Sequence, residues 1–133
     1  MTAASLLSEA EASQIAPAAL AYLGDAVYEL HMRLRYLLPP QRLQHYHQAV
    51  VEQVRAEAQA QHLQVILSNL TEPELQIVRR GRNATGSVPR RVDADIYRQA
   101  TSFETLVGYL HLTDPTRLAE LFSTLDPQVR SPS

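Results

Sequence analysis

The residues best suited to chemistry lie inside a pattern that otherwise predicts an α-helix. The segment Leu20–Val27 reads Leu-Ala-Tyr-Leu-Gly-Asp-Ala-Val, so that Gly24 and Asp25 occupy interior helix positions. A glycine there costs roughly 1 kcal/mol relative to alanine, and an aspartate so far from the helix N-terminus gains nothing from the helix dipole. The pair indicates a crowded place that a metal ion or a second chain approaches. Alternatively, Gly24 only admits a packed helix and Asp25 faces water.

A second acidic residue, Glu104, belongs to a later helical pattern. In that pattern Tyr97, Thr101, Glu104 and Gly108 form a stripe beside the apolar face. If the two helices pack, the carboxylates of Asp25 and Glu104 can meet, and each would raise the pKa of the other unless a cation neutralised them. Oxygen ligands without cysteine suit Mg²⁺ or Mn²⁺. Such a metal serves phosphodiester hydrolysis, because it polarises the phosphate and generates a hydroxide nucleophile.

A cluster of arginines lies between these two acids in the chain. The formal net charge of -2 argues weakly against nucleic-acid binding. The charge is uneven, however, because no acidic residue occurs from Leu75 to Val92. Clustered guanidinium groups bind phosphate oxygens through paired donors, and the alternative is a solvated arginine-rich loop. The cluster consists of Arg79, Arg80, Arg82, Arg90 and Arg91.

Apolar periodicity predicts the helices that must position these side chains. Pro17 opens the first long helix, and Pro39–Pro40 end it. A second helical region runs from about Gln41 to Asn69 and is compatible with two helices, because its middle at Ala56–Ala60 is polar and rich in alanine. The core stripe expected on the first helix consists of Leu20, Leu23, Val27, Leu30, Leu34 and Leu37.

Capping signals predict the second half of the chain. A capping box at Thr71–Glu74 opens a shorter helix that ends near Gly81, and a loop follows to Val92. The next helix begins at Asp93 or the residue after it, and Asp114–Pro115 starts the last one. The expected fold is therefore all-α.

Length and composition fit one compact intracellular domain. The 133 residues can bury a core without disulfides, and the chain has no cysteine. No apolar run is long enough to span a membrane, and no signal peptide is evident. We expect a cytoplasmic protein without membrane contact, with one domain over residues 14–125 and flexible termini at 1–13 and 126–133.

Three motifs occur in a fixed order between about Pro17 and about Leu121, and so cover nearly the whole chain. They are the Leu-Gly-Asp-Ala-Val segment Leu23–Val27, then Arg80–Ala84 with Val88–Pro89, and finally Tyr97–Arg98 with Phe103–Glu104 and Gly108–Leu110. In this order they resemble the ribonuclease III family, and within it the short, catalytic-domain-only branch of Mini-ribonuclease III proteins.

The resemblance implies a ribonuclease III-type helical endonuclease domain that cleaves double-stranded RNA. It implies Asp25 and Glu104 as catalytic metal ligands, Mg²⁺ or in its place Mn²⁺ as cofactor, and 5'-phosphate and 3'-hydroxyl ends. It further implies that the substrates are large-subunit ribosomal RNA precursors. Longer members of the family have two more acids, where this chain has Ala21 and Thr101. We therefore expect a metal held by fewer protein oxygens and more water.

The same resemblance directs attention to the RNA backbone. With no room for the double-stranded-RNA-binding domain of longer members, the catalytic domain itself must grip a duplex by its shape and phosphates. Asn83 could bond a phosphate or ribose hydroxyl or only shape a turn, and Arg98 could contact RNA or pair with Asp95. The candidate RNA-binding residues are Arg79, Arg80, Arg82, Asn83, Arg90, Arg91 and Arg98.

A homodimer is expected, because a duplex has two antiparallel strands and one metal site cuts one strand at a time. On the first helix, Tyr28, Met32 and Tyr36 extend the apolar surface, either as an interface or as part of a buried helix in a monomer. The main alternative function is a catalytically inactive RNA-binding or ribosome-assembly module, which Ala21 and Thr101 favour. A phosphohydrolase of small nucleotides usually needs His-Asp pairs, and the chain has none.

Overall fold

The computed structural model describes residues 4–125, and this part of the chain is almost entirely helical without any strand. A short 3-10 turn, Leu67–Asn69, follows the fourth helix. The all-α prediction is confirmed. The helices are α1 (Glu9–Ala12), α2 (Pro17–Tyr36), α3 (Leu43–Val54), α4 (Ala56–Ile66), α5 (Glu72–Ala84), α6 (Ala94–Thr113) and α7 (Pro115–Leu125).

Helix α6 is the centre of the fold. It packs against α2, α4, α5 and α7, and its buried residues include Phe103 and Leu106. The ring of Tyr28 on α2 meets that of Phe103 edge-on, with ring centroids 5.1 Å apart, an arrangement that aromatic pairs favour. The core therefore forms around α6, and the site residues of α2 and α6 are held by the same packing.

Two glycines let α2 and α6 approach each other closely. A Cβ atom on Gly24 would overlap the main-chain oxygen of Glu104, and one on Gly108 would overlap the main-chain oxygen of Leu20. Neither helix could carry a side chain at these points without moving apart. The close contact brings Asp25, next to Gly24, into the neighbourhood of Glu104.

The structure corrects the prediction of which face of α2 is buried. Tyr28 and Met32 are buried in the core, whereas Leu30 and Leu34 of the predicted core stripe are 58% and 62% exposed. The reason is the glycine contact: turning Gly24 toward α6 keeps Leu20 buried but turns Leu30 and Leu34 away from α6. The buried residues of α2 are Leu20, Ala21, Gly24, Tyr28 and Met32.

One predicted helix boundary also differs from the structure. Helix α5 continues to Ala84, past the predicted end near Gly81, so the loop before α6 is shorter than expected. The predicted domain bounds, residues 14–125, stay a prediction; ahead of them, the amides of Leu6 and Leu7 donate to the main-chain oxygen of Leu112 at 2.8 and 2.9 Å. The predicted C-terminal tail, residues 126–133, lies outside the described residues. Within residues 4–125 no helix is both long and apolar enough to cross a membrane.

Candidate active site

A cleft of about 320 Å³ lies between α2, α6 and the end of α5. Asp25 and Glu104 both line it, and so do Ala21 and Thr101, the two positions at which the sequence resemblance would have implied further acids. The structure thus brings the two predicted carboxylates together from different helices. The remaining lining residues are Ala18, Tyr22, Gly81, Ala84, Thr85, Gly86, Ser87 and Tyr97.

The two carboxylates differ in their surroundings. Asp25 is exposed, whereas Glu104 is partly buried. Burial raises the pKa of Glu104 to about 8, and the Asp25 carboxylate contributes to the rise through a hydrogen bond and through its charge. A nearby negative charge disfavours the ionised form of a buried carboxyl group. A cation between them would remove that conflict.

Gln59 on α4 contacts the same carboxylate from the protein interior. Its side chain is 2% exposed. The Nε2 atom donates to the main-chain oxygen of Val54 at 2.7 Å and lies 3.5 Å from Oε2 of Glu104. Its Oε1 is buried and has no hydrogen-bond partner among the described residues. Sequence patterns did not point to Gln59, although its place one turn before the buried Leu63 was a possible signal.

This donor set fits a hydrated Mg²⁺ or Mn²⁺ ion. Within residues 4–125 no three His, Cys, Asp or Glu side chains converge on one point, so the protein would offer Asp25 and Glu104. Mg²⁺ commonly keeps several waters and binds proteins through one or two carboxylates plus substrate phosphate.

Three of the predicted RNA-binding arginines lie on α5 and are engaged within the protein. Arg79 pairs with Glu72 at 3.2 Å, and Arg82 pairs with Asp95 at 2.8 Å. Arg80 lies 3.5 Å from two main-chain oxygens of the segment before α2. The Arg79–Glu72 and Arg82–Asp95 ion pairs are both exposed to solvent. Exposed ion pairs contribute little stability, so a phosphate group could replace the carboxylate partner of either arginine.

The remaining predicted RNA-binding residues are Arg90, Arg91, Asn83 and Arg98, and all lie outside these ion pairs. Arg90 and Arg91 are exposed in the loop between α5 and α6 and make no hydrogen bond or ion pair with any residue from 4 to 125. Asn83 is exposed on the last turn of α5. Arg98 on α6 lies near Asp95, whose pKa is lowered mainly by hydrogen bonds from Arg82 and Gln99 and less by the charge of Arg98. Arg98 therefore interacts with Asp95 through its charge, and the hydrogen bonds to Asp95 come from Arg82 and Gln99.

The chain is similar in sequence to proteins of known family. The Ribonuclease III domain model matches residues 18–115. A Mini-ribonuclease 3 of a Synechococcus species is 60% identical over 119 residues, which are 90% of this chain and 86% of that protein. A Mini-ribonuclease 3 of Thermosynechococcus vestitus is 56% identical over 120 residues, with 90% of this chain and 80% of that protein covered.

A solved structure has the same fold. The crystal structure of protein FN1578 from Fusobacterium nucleatum superposes with a TM-score of 0.76 at 26% identity, covering 86% of this chain and 92% of that one. The chain belongs to the ribonuclease III family and, within that family, to the Mini-ribonuclease 3 proteins. The class of enzyme that this family defines is the ribonuclease III-type endoribonuclease. The resemblance seen in the three sequence motifs is thereby confirmed.

Proposed function

We propose that this protein cleaves double-stranded RNA at the cleft that holds Asp25 and Glu104, with Mg²⁺ or Mn²⁺ as cofactor. The observation that carries the proposal is the meeting of two carboxylates from different helices, one of them with a pKa raised to about 8. A perturbed acid in a cleft is typical of functional sites. The products would be 5'-phosphate and 3'-hydroxyl ends.

The chain's own residues would do three things in this reaction. Asp25 and Glu104 would hold the metal between α2 and α6, and Glu104 must lose its proton to do so. The close glycine contact between the helices would hold the two carboxylates near each other before substrate binds. A bound divalent ion supplies a Lewis acid for the phosphate and a hydroxide nucleophile. Ala21 and Thr101 leave space beside the acids, which water and RNA phosphate oxygens can fill.

The loop after α5 would grip the RNA backbone. It lines the cleft with Gly86 and Ser87 and then presents Arg90 and Arg91 to solvent. Because these arginines have no partner in the described part of the protein, a phosphate does not have to displace one. Backbone contacts of this kind suit an A-form duplex, whose deep groove is closed to side chains. We further propose large-subunit ribosomal RNA precursors as substrate and the cytoplasm as the place of action.

A homodimer would present two such clefts to the two strands. The leucine face of α2 is open to solvent at Leu30 and Leu34, and Leu37 just after the helix is 51% exposed. A contiguous apolar face on a small domain marks an interaction surface. A second copy is the occupant that we propose, since a closed two-fold pair places Asp25 and Glu104 opposite each strand.

The test is cleavage of a long RNA duplex by the purified protein, with Mg²⁺, with Mn²⁺ and with a chelator. We expect cleavage only when a divalent ion is present, with single-stranded RNA of the same sequence cut far less. End analysis of the products should find 5'-phosphates. Binding of the duplex without cleavage at any metal concentration would instead favour a catalytically inactive RNA-binding or ribosome-assembly module, as Ala21 and Thr101 allow.

A further inference from the structure

We propose that Gln59 is a positioning residue, which holds the Glu104 carboxylate in the orientation that binds a divalent cation. The inference rests on the proposed metal-dependent function and adds a residue from a third helix, α4, to the site. Gln59 does not line the cleft itself. It would act on the metal only indirectly, by contacting Glu104 from the protein interior.

The orientation of the Gln59 amide is set by the main chain. Its Nε2 donates to the oxygen of Val54 at 2.7 Å. If the amide were turned over, Oε1 would face that oxygen, and two acceptors would be in contact. The amide nitrogen is therefore the atom that faces Oε2 of Glu104, at 3.5 Å.

The bond to Val54 does not account for the whole of this side chain. The next residues on the same face of α4, Leu63 and Ile66, are apolar and buried, and the Val54 oxygen accepts only one of the two hydrogens that the amide nitrogen carries. Burying an amide is unfavourable when one of its polar atoms has no partner, and Oε1 of Gln59 has none among residues 4–125. Beyond the bond to Val54, the glutamine adds a donor directed at Glu104.

That donor limits the orientations open to the Glu104 carboxylate. The amide nitrogen, which the bond to Val54 holds in place, lies 3.5 Å from Oε2 of Glu104. With Oε2 held in this way, the other carboxylate oxygen is left for a cation in the cleft that Asp25 also lines. Removing a residue that orients a metal ligand typically costs roughly 10- to 100-fold in metal affinity or activity. Val54 is the last residue of α3, and its main-chain oxygen accepts the bond from Gln59. The break between α3 and α4 therefore helps to fix the orientation of the amide.

The decisive variant is Gln59→Met, which keeps the length of the side chain and removes the amide. The matched control is Gln64→Met on the same helix, where the exposed glutamine donates a hydrogen bond to Gln99. Mn²⁺ binding is measured without RNA by the electron paramagnetic resonance signal of the free ion. We expect Gln59→Met to weaken Mn²⁺ binding roughly 10- to 100-fold and Gln64→Met to leave it unchanged. The Mg²⁺ concentration for half-maximal cleavage should rise in parallel, while duplex affinity stays constant.

A measurement on the unaltered protein keeps the proposal testable if Gln59→Met does not fold. Adding Mg²⁺ should shift the side-chain amide signals of Gln59 in ¹H–¹⁵N NMR spectra, and those of Gln64 should stay in place. Unshifted Gln59 signals, or a folded Gln59→Met protein with wild-type Mn²⁺ affinity, would overturn the positioning role. If Glu104→Gln also bound Mn²⁺ like the wild type, the proposed metal site itself would be wrong, which separates the two failures.

Discussion

Gly24 of α2 lies against the main-chain oxygen of Glu104 on α6, with no space between them for a Cβ atom. The contact is reciprocal, since Gly108 lies in the same way against the main chain of Leu20. The residue after Gly24 is Asp25, and the residue that Gly24 touches is the other acid of the cleft. The separation of the two carboxylates is therefore set by how closely these helices cross.

Replacing Gly24 by alanine should destabilise the protein. Alanine is the better helix former by about 1 kcal/mol, but the added methyl group meets main-chain atoms that cannot give way, and such overpacking typically costs about 1–3 kcal/mol. We expect a lower free energy of unfolding in urea and slower cleavage. Gly86→Ala is the control for stability, because no atom lies within 4 Å of its Cβ position. A Gly24→Ala protein as stable as the wild type would contradict the close contact.

Asp25→Asn and Glu104→Gln should each abolish cleavage of duplex RNA. Both substitutions keep the size of the side chain and remove the charge that holds the cation. Circular dichroism and oligomeric state should remain those of the wild type. Glu29→Gln provides the control, because Glu29 lies one turn after Asp25 on α2 and pairs with Arg33. Near wild-type turnover by either variant at saturating Mg²⁺ would exclude the two-carboxylate site.

The raised pKa of Glu104 predicts how stability depends on pH in a chelator. The ordinary value is 4.5 and the folded value is about 8, with burial as the main cause. The folded protein thus binds this proton more tightly, so the stabilisation is full below pH 4.5 and is lost as pH rises to about 8. Glu104→Gln should lack this loss.

Mg²⁺ should reverse the loss in the wild type, because it binds the ionised form. The Mg²⁺ concentration needed should rise as pH falls below 8, by up to about tenfold per pH unit for one released proton. Calorimetry of Mg²⁺ binding at several pH values measures this. Mg²⁺ binding with no pH dependence between 6 and 8 would mean that Glu104 is not a ligand.

Arg90→Ala with Arg91→Ala should weaken RNA binding more than it slows cleavage of bound RNA. Each lost phosphate contact should lower the slope of log affinity against log salt by roughly one unit. The paired residues Arg79 and Arg82 should have smaller effects, since they already bond Glu72 and Asp95. Arg33→Ala is the control, because Arg33 lies in the last turn of α2 and does not line the cleft. An unchanged salt slope would show that this loop does not touch phosphate.

Leu30→Glu or Leu34→Glu should convert the proposed dimer to a monomer. A charge placed in a buried apolar interface is strongly unfavourable, whereas in the free monomer both positions face solvent. Light scattering during size exclusion measures the mass, and Val65→Glu is the control, because Val65 on α4 is 50% exposed outside the α2 face. Wild-type protein that is monomeric at micromolar concentration and still cuts both strands would rule the dimer out.

Local chemistry in the sequence determined where most helices begin. The capping box at Thr71 forms as predicted, with Glu74 bonding back to the amide of Thr71 at 2.9 Å. Asp93 caps α6 through the amides of the next turn, and the α2 pattern ends before Pro39–Pro40. These features depend on hydrogen bonds between residues a few positions apart. The order of the three motifs also belongs to the sequence alone, and with it the family.

Only the tertiary structure decided which residues face each other. The leucines of α2 form its most regular apolar stripe, yet close packing on α6 selected the face of Gly24 and Tyr28, where two main chains can touch. Gln59 is 45 positions from Glu104 in the chain, and no local spacing relates them. Periodicity states which residues share a helix face, whereas the partner of that face depends on shape and charge supplied by distant parts of the chain. The sequence could therefore predict that Asp25 and Glu104 meet, but it could not predict that the Gln59 amide contacts Glu104.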